Sequence, residues 1–315
     1  MDLFFALARA TGTMLVTLFG AITLAFALIS FAPGDAIDSL PDSLESRASL
    51  EQEWNLAGSY GSRLVRLFSD LAAGDLQTSL VLKPGQPVDT MLWSPALTSL
   101  TILSLALLLA VFTSMATGAS SVFLKRSAPA RLLSIFSLLP VFLFGHILIT
   151  VINQFTWMLI QGESIARPSW FALPVESSLF RTWLAVVVLA GASASVAEMH
   201  TSFHNIFNEI RNSDYVLATM GRGGSITPHV FANTLVPAVS LCVQRIPVLL
   251  SSMVILERIF NIQGVGALFW YAAIQRDYPV LMGVCLLSSV VIIVTRWILQ
   301  IFELFVDPRI RLATT

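Results

Sequence analysis

Six long apolar stretches constrain the fold of this chain more than any other feature. A helix that crosses a bilayer needs roughly 20 predominantly apolar residues, and each stretch reaches that length. The sequence therefore predicts an all-α, six-span membrane protein in which residues 1–315 form one domain. The predicted spans are residues 10–32, 97–124, 131–160, 179–203, 233–257 and 280–306.

The charge content also indicates a membrane protein. Only 12% of the residues are charged, about half of the ~25% that is typical of soluble domains. The net charge of −1 gives no reason to expect a nucleic-acid partner. A cleaved signal peptide is one alternative for the N-terminus, but the apolar run from Thr11 to Ala32 is longer than the usual ~7–15-residue signal core. We predict a retained first span in a lipid bilayer.

Loop charges predict the orientation, because cytoplasmic loops carry an excess of Lys and Arg. Lys125, Arg126 and Arg131 lie between the second and third spans, with no acidic residue beside them. That loop should be cytoplasmic. With six spans, both termini are then predicted to be cytoplasmic as well.

Residues 33–96 are predicted to form a small extracytoplasmic element. This segment contains nine acidic and four basic residues, and it is too long to be a turn. The spacing of Leu64, Leu67, Phe68 and Leu71 is helical. We therefore expect a helix there, followed by a loop that is rich in proline and glycine.

The cytoplasmic connection at 204–232 is longer than a simple turn requires. Residues 208–220 can form a short amphipathic helix, with Ile210, Tyr215, Val216 and either Ala218 or Thr219 on its apolar side, and the following glycines would end it. Such a helix can insert into a groove of a soluble partner. It can equally lie flat on the membrane surface.

Sequence motifs for chemistry are lacking. The chain has no GxSxG, no HExxH and no paired intramembrane acids, so we expect no catalytic residues. It has no GxxxxGK[ST] loop for nucleotide and no Cys/His cluster for a metal. We therefore predict that the chain is not an enzyme and binds no cofactor.

Arg245 lies in the middle of the predicted fifth span. A charged side chain at the bilayer centre must face protein or a watery path. It could contact substrate or a gate on a translocation path, or it could pair structurally with Gln244, a helix C-terminus or a carboxylate of a second subunit. We also predict Pro140 and Phe142, in the third span, as candidate path residues.

Several short motifs lie along the whole chain: F-A-P-G-D at 31–35, G-D-L-Q-T-S-L at 74–80, L-P-V-F at 139–142, D-Y-V at 214–216 with Gly223, N-T-L-V-P at 233–237, E-R-I-F at 257–260 with G-V-G at 264–266, R-D-Y-P at 276–279 and D-P-R-I-R at 307–311. In kind and spacing they resemble the motifs of the oligopeptide/dipeptide/nickel ABC-importer permeases, in particular the subunit type with a large outer loop after span one.

This resemblance implies the type I importer fold in a bacterial plasma (inner) membrane. It implies pairing with a second homologous permease, docking on two ATPase subunits that bind ATP, and delivery of cargo by an extracytoplasmic binding protein. The residues that it places at the ATPase contact are Ser213, Asp214, Tyr215, Val216, Ala218, Met220, Gly221, Arg222 and Gly223.

Small peptides are the cargo that the resemblance favours. Nickel chelates, glutathione, antimicrobial peptides and oligosaccharides stay open, and so does a stand-alone secondary transporter. The chain departs from the family pattern at three places: Arg222 stands where Lys is common, Gln263 stands where Pro is usual, and the segment from Gly223 to Pro237 is about one helical turn short.

Overall fold

The computed structural model describes residues 2–32, 58–125, 139–161, 177–191 and 194–306, with isolated positions between them. Helices make up most of these residues, and no strand occurs in the described ranges, apart from one isolated bridge between Thr78 and Pro87. The helices are α1 (Asp2–Ser30), α2 (Tyr60–Ala72), α3 (Val88–Phe123), α4 (Val141–Gln161), α5 (Ser178–Gly191), α6 (Ala194–Asn212), α7 (Asp214–Gly221), α8 (Thr227–Ile259), α9 (Val265–Ile274) and α10 (Tyr278–Val306). The fold is all-α, as the sequence predicts.

Four described helices are long and apolar enough to cross a membrane, within α1, α3, α8 and α10. A fifth crossing results if α5 and α6, which form a bent pair, count as one span. The apolar part of α4, Val141–Phe155, is shorter than this test requires, and most of 126–138 lies outside the described residues. The prediction of six spans therefore stays a prediction.

Helix boundaries differ from the predicted spans at three places. Helix α3 begins at Val88, nine residues before the predicted start, and runs through Pro95. The predicted fourth span is divided between α5 and α6. Helix α9 is an additional helix between the predicted fifth and sixth spans. Apolarity alone locates a span but cannot mark where a helix continues beyond it.

The packing of the chain divides it into two compact units. Unit 1 comprises residues 1–99 and 263–315, and unit 2 comprises residues 100–262.

Helix α10 organises unit 1 by packing against α1 and α9. A cluster of buried apolar residues joins the start of α3 to α9 and α10: Val88, Met91, Leu92, Ala272, Val280, Leu281 and Val284. Gly283 permits this close approach, since a Cβ there would lie 2.6 Å from Cγ1 of Val88. Helix α2 packs on α1, where the rings of Phe19 and Phe68 stack at 4.6 Å. The helix predicted from the spacing of Leu64 and its neighbours is thus present.

The loop before α3 in unit 1 closes around the buried carboxylate of Asp277, which has no exposed surface. Oδ2 of Asp277 accepts hydrogen bonds from Oγ of Ser79 (2.6 Å) and from the backbone N–H groups of Val81 (3.0 Å) and Leu82 (2.9 Å). Oδ1 accepts from the N–H of Leu80 at 3.3 Å. These contacts join the motif at 74–80, and the residues directly after it, to the motif at 276–279, about 200 residues later in the sequence.

Helix α8 organises unit 2 by packing against α4, α5 and α6. Gly145 of α4 lies against α8, where an added Cβ would be 2.8 Å from Cδ2 of Leu256. Gly118 of α3 also lies close to α6, where an added Cβ would be 3.0 Å from the Cβ of Phe203. Small residues let the helices of this unit approach closely, as is common between helices in membranes.

Candidate coupling segment and intramembrane ion pair

Ser213 separates α6 from α7 and thereby creates a short, distinct helix. Its backbone is extended (φ −72°, ψ 143°). Both its N–H (3.2 Å) and its Oγ (2.6 Å) donate to the carbonyl of Ile210. The prediction of one amphipathic helix over 208–220 is therefore wrong at its start. Residues 208–212 belong to the end of α6, and Ser213 separates them from α7 by bonding to the carbonyl of Ile210. Asp214 occupies the first turn of α7, where a carboxylate interacts favourably with the helix dipole.

Gly223 ends the short helix as the sequence predicts. Its φ is +73°, a left-handed conformation that glycine adopts without steric cost. Its N–H donates to the carbonyl of Met220 at 3.0 Å, and the N–H of Gly224 donates to that of Thr219 at 2.9 Å. Such bonds satisfy carbonyls that the helix end leaves open. Helix α7 is thus an eight-residue element with defined limits on both sides.

The two sides of α7 differ from the sequence expectation. Val216 is completely buried and anchors the helix, and Ile210 before it is also buried. Tyr215, predicted on the same apolar side, is 46% exposed, together with Leu217 (51%) and Met220 (48%). We call these three exposed side chains together the outer face of α7, although Tyr215 and Leu217, which are two residues apart, project from different sides of the helix. The sequence analysis did not include Leu217. Leu217 is adjacent to Val216, and since adjacent residues point to different sides of a helix, burial of Val216 leaves Leu217 on another side.

The other predicted coupling residues lie at the surface of unit 2. Ser213 is half-buried, and the following are exposed: Asp214, Ala218, Gly221, Arg222 and Gly223. The hydroxyl of Tyr215 accepts a hydrogen bond from Nδ2 of Asn233 at 3.1 Å. This bond connects α7 to the first turns of α8.

A ladder of polar contacts fixes α6 against the end of α3. Nδ1 of His200 lies 2.9 Å from Oγ1 of Thr117, and Nδ1 of His204 lies 2.7 Å from Oγ of Ser121. Nη1 of Arg211 donates to the carbonyl of Val122 at 2.7 Å. Sequence analysis missed this ladder, although a spacing of four residues on both helices was its signal. The ladder positions the helix that leads into α7.

Arg245 forms an ion pair with Glu198 of the same chain, through Nη1 and Oε2. None of the partners predicted for Arg245 was Glu198, since the carboxylate lies 47 residues away on α6. The side chain of Arg245 is 18% exposed and that of Glu198 is 58% exposed. Neighbouring Gln244 is exposed. An unpaired Arg at the bilayer centre costs ~2.5–3.5 kcal/mol on insertion scales, and pairing reduces that cost.

Pro140 and Phe142 lie at the beginning of α4. Pro140 precedes the helix, and its carbonyl accepts from the N–H of Phe144 at 3.0 Å. Phe142 is 48% exposed. By contrast, Pro237 and Pro247 both lie inside α8, which is continuous through them.

Residues 106–312 match the family described as the inner membrane component of binding-protein-dependent transport systems. The match begins within α3, spans α4 to α10, and includes α7 and the Glu198–Arg245 pair. The chain belongs to this family. It is a multi-pass inner membrane protein.

Relatives align with this family member over almost their entire length. It is 27% identical to the oligopeptide transport system permease protein AppB of Bacillus subtilis (strain 168), covering 96% of this chain and 98% of the relative. It is 26% identical to the dipeptide transport system permease protein DppB of Lactococcus lactis subsp. cremoris, covering 96% and 97%. It is 25% identical to the glutathione transport system permease protein GsiC of Salmonella paratyphi A, covering 95% and 96%.

Among the described residues, no group of three or more His, Cys, Asp or Glu side chains could hold a metal ion.

Proposed function

We propose that this chain is a permease subunit of an ATP-driven importer that moves small peptides delivered by an extracytoplasmic binding protein. In this proposal it pairs with a second, homologous permease and with two ATPase subunits. ATP hydrolysis takes place on those subunits, since this sequence contains no nucleotide-binding loop.

The full-length match to peptide permeases carries the proposal. The alignments cover at least 95% of this chain and 96% of each of the three relatives named above. This coverage supports the proposal that the chain is a permease subunit, as the names of those relatives state. Their names specify oligopeptides, dipeptides and glutathione. Glutathione is itself a tripeptide, so all three cargoes belong to one chemical class.

Helix α7 is proposed as the contact with the ATPase. Its outer face offers three exposed apolar side chains, while buried Val216 holds the helix on unit 2. A short helix presented in this way can occupy a hydrophobic groove of a partner. Because Val216 is inaccessible, we assign it an anchoring role and assign the contact to Tyr215, Leu217 and Met220.

The proposed orientation places α7 and both termini in the cytoplasm. The basic loop at 125–131 and the acidic segment at 33–96 support it. Arg245, Pro140 and Phe142 are proposed to line the translocation path. Of these three, Arg245 has the strongest physical argument, because its exposed partner Glu198 needs a polar environment.

Reconstitution of the complete complex tests this function. Proteoliposomes would contain this chain, the second permease, both ATPases and ATP, with the binding protein outside. We expect ATP-dependent accumulation of a labelled dipeptide, and a substrate panel would include glutathione, a nickel chelate, an antimicrobial peptide and an oligosaccharide. Uptake by this chain alone, driven by an ion gradient, would contradict the proposal.

A further inference from the structure

Glu198 and Arg245 form a charged pair that is only partly enclosed by unit 2. Arg245 lies in the middle of the apolar stretch Asn233–Ile259 of α8, and Glu198 lies in the second turn of α6. The guanidinium is mostly covered, whereas 58% of the Glu198 side chain is exposed. The pair therefore presents its carboxylate outward.

Hydrocarbon is not a suitable environment for this face of unit 2. Charged groups within membrane spans face the interior of a bundle or a water-filled cavity, because lipid tails offer them no hydrogen bonds. Gln244, next to Arg245, is exposed as well, and its amide has the same requirement. Glu198 and Gln244 therefore mark a side that meets water or polar groups.

Both members of the pair retain unused hydrogen-bonding capacity. An ionised carboxylate accepts about four hydrogen bonds and a guanidinium donates five. One contact, from Nη1 to Oε2, joins them in this structure. Nε of Arg245 is buried and has no hydrogen-bond partner among the described residues. The buried Nε is not accessible to an incoming group. The exposed carboxylate of Glu198 can receive a cation, and the remaining Nη N–H groups of Arg245, whose side chain is 18% exposed, can donate to an anion.

We propose that the Glu198–Arg245 pair is a substrate site on the translocation path that recognises zwitterions. The carboxylate of Glu198 accepts hydrogen bonds from the terminal ammonium of a peptide. The guanidinium of Arg245, a group well suited to carboxylates, donates to its terminal carboxylate. An uncharged oligosaccharide offers neither charge. This inference rests on the proposed function and specifies the feature of the cargo that the permease itself reads.

The test measures uptake by the reconstituted complex of dialanine and of N-acetyl-dialanine, which lacks the ammonium. Both are supplied on the binding protein at equal occupancy. We expect Glu198→Gln to lower the maximal rate of dialanine uptake about tenfold and that of the acetylated peptide less than twofold. Asp89→Asn, which removes an exposed carboxylate at the start of α3, serves as the control and should change neither rate.

A charge-reversed pair, Glu198→Arg with Arg245→Glu, separates substrate recognition from a structural role. It keeps an ion pair between α6 and α8 but reverses the polarity of the site. We expect the reversed complex to assemble with all its subunits and to transport dialanine as slowly as the Glu198→Gln variant. Equal slowing of dialanine and N-acetyl-dialanine in the reversed complex would overturn the substrate site, because it would show that the pair does not recognise the terminal ammonium.

Two further outcomes distinguish this inference from the proposed function. Equal slowing of both peptides by Glu198→Gln, or no slowing of either, would overturn the zwitterion site while peptide transport stands. Lack of peptide uptake by the unaltered complex would overturn the proposed function, and the site with it.

Discussion

Asp277 in unit 1 and Glu198 in unit 2 are carboxylates with opposite surroundings. Asp277 has no exposed surface and accepts four hydrogen bonds from the loop that carries Ser79. Glu198 is largely exposed and contacts Arg245 through a single oxygen. A buried carboxylate that is surrounded by fixed donors holds a fold together. One that keeps free lone pairs on an exposed side is available to another molecule.

The same contrast extends to the segments around them. The loop at 79–87 directs its polar groups inward, to Asp277 and to its own backbone. Helix α7 directs the apolar side chains of its outer face away from unit 2. Substitutions in the loop at 79–87 or at Asp277 should therefore change stability. Substitutions at Glu198 or at the exposed residues of α7 should instead change transport.

Asp277→Asn should give the largest loss of stability. Three of the four donors converge on Oδ2, so an amide in either orientation leaves at least one donor facing an NH₂ group. Each buried unsatisfied group costs about 1–3 kcal/mol, and we expect a total of about 3–5 kcal/mol. The measurement is the thermal unfolding of the purified complex in detergent.

Asp75→Ala is the control for that substitution, because Asp75 is exposed and accepts one bond, from the N–H of Gln77 at 2.7 Å. It should lower the unfolding free energy by less than about 1 kcal/mol. Equal losses of unfolding free energy from the two substitutions would show that the buried carboxylate of Asp277 stabilises the fold no more than an exposed one does.

The double substitution Asp214→Ala with Tyr215→Ala should reduce ATPase-coupled uptake at least about tenfold, equivalent to about 1.4 kcal/mol of lost interaction. Both residues are exposed on α7, so membrane insertion and unfolding temperature should stay the same. The direct measurement is co-purification of the ATPase subunits. Normal uptake by this variant would contradict docking on α7.

The double substitution Asp89→Ala with Trp93→Ala is the matched control for that experiment. It also removes one exposed acid and one exposed aromatic residue, but from the beginning of α3. The ATPases should remain bound to this variant.

Glu198→Gln should change stability much less than Asp277→Asn does. The amide oxygen can still accept from Arg245, and the exposed side chain remains hydrated. We expect a loss of about 1 kcal/mol or less, measured by the same thermal unfolding. A loss as large as that of Asp277→Asn would show that the pair is part of the packed interior.

Tyr215→Phe should have the smallest effect. It removes the acceptor for Nδ2 of Asn233 and leaves the aromatic ring in place. A hydrogen bond contributes about 0.5–1.5 kcal/mol, and solvent access places this one at the low end. Uptake should fall no more than about threefold. A loss comparable to that of the double variant would assign the contact to the hydroxyl and not to the outer face.

Sequence reasoning located the elements of the site better than their contacts. The stop at Gly223 was predictable, because glycine at the end of a short helical segment is a local signal. The outward direction of Tyr215 was not, because it depends on the break at Ser213, which shifts α7 relative to α6. Likewise, mid-span Arg245 was recognisable as an intramembrane charge, but Glu198 was not recognisable as its partner.

Local properties are what the sequence by itself determined. Apolar content set the all-α membrane class, and the spaced motifs indicated the permease family that the comparison shows. Only tertiary packing decided that Asp277 closes the loop at Ser79, that Val216 is buried beside exposed Tyr215, and that Arg245 meets Glu198. The physical reason is that local signals act over about one helical turn, whereas each of these contacts depends on how separate segments fit together in three dimensions.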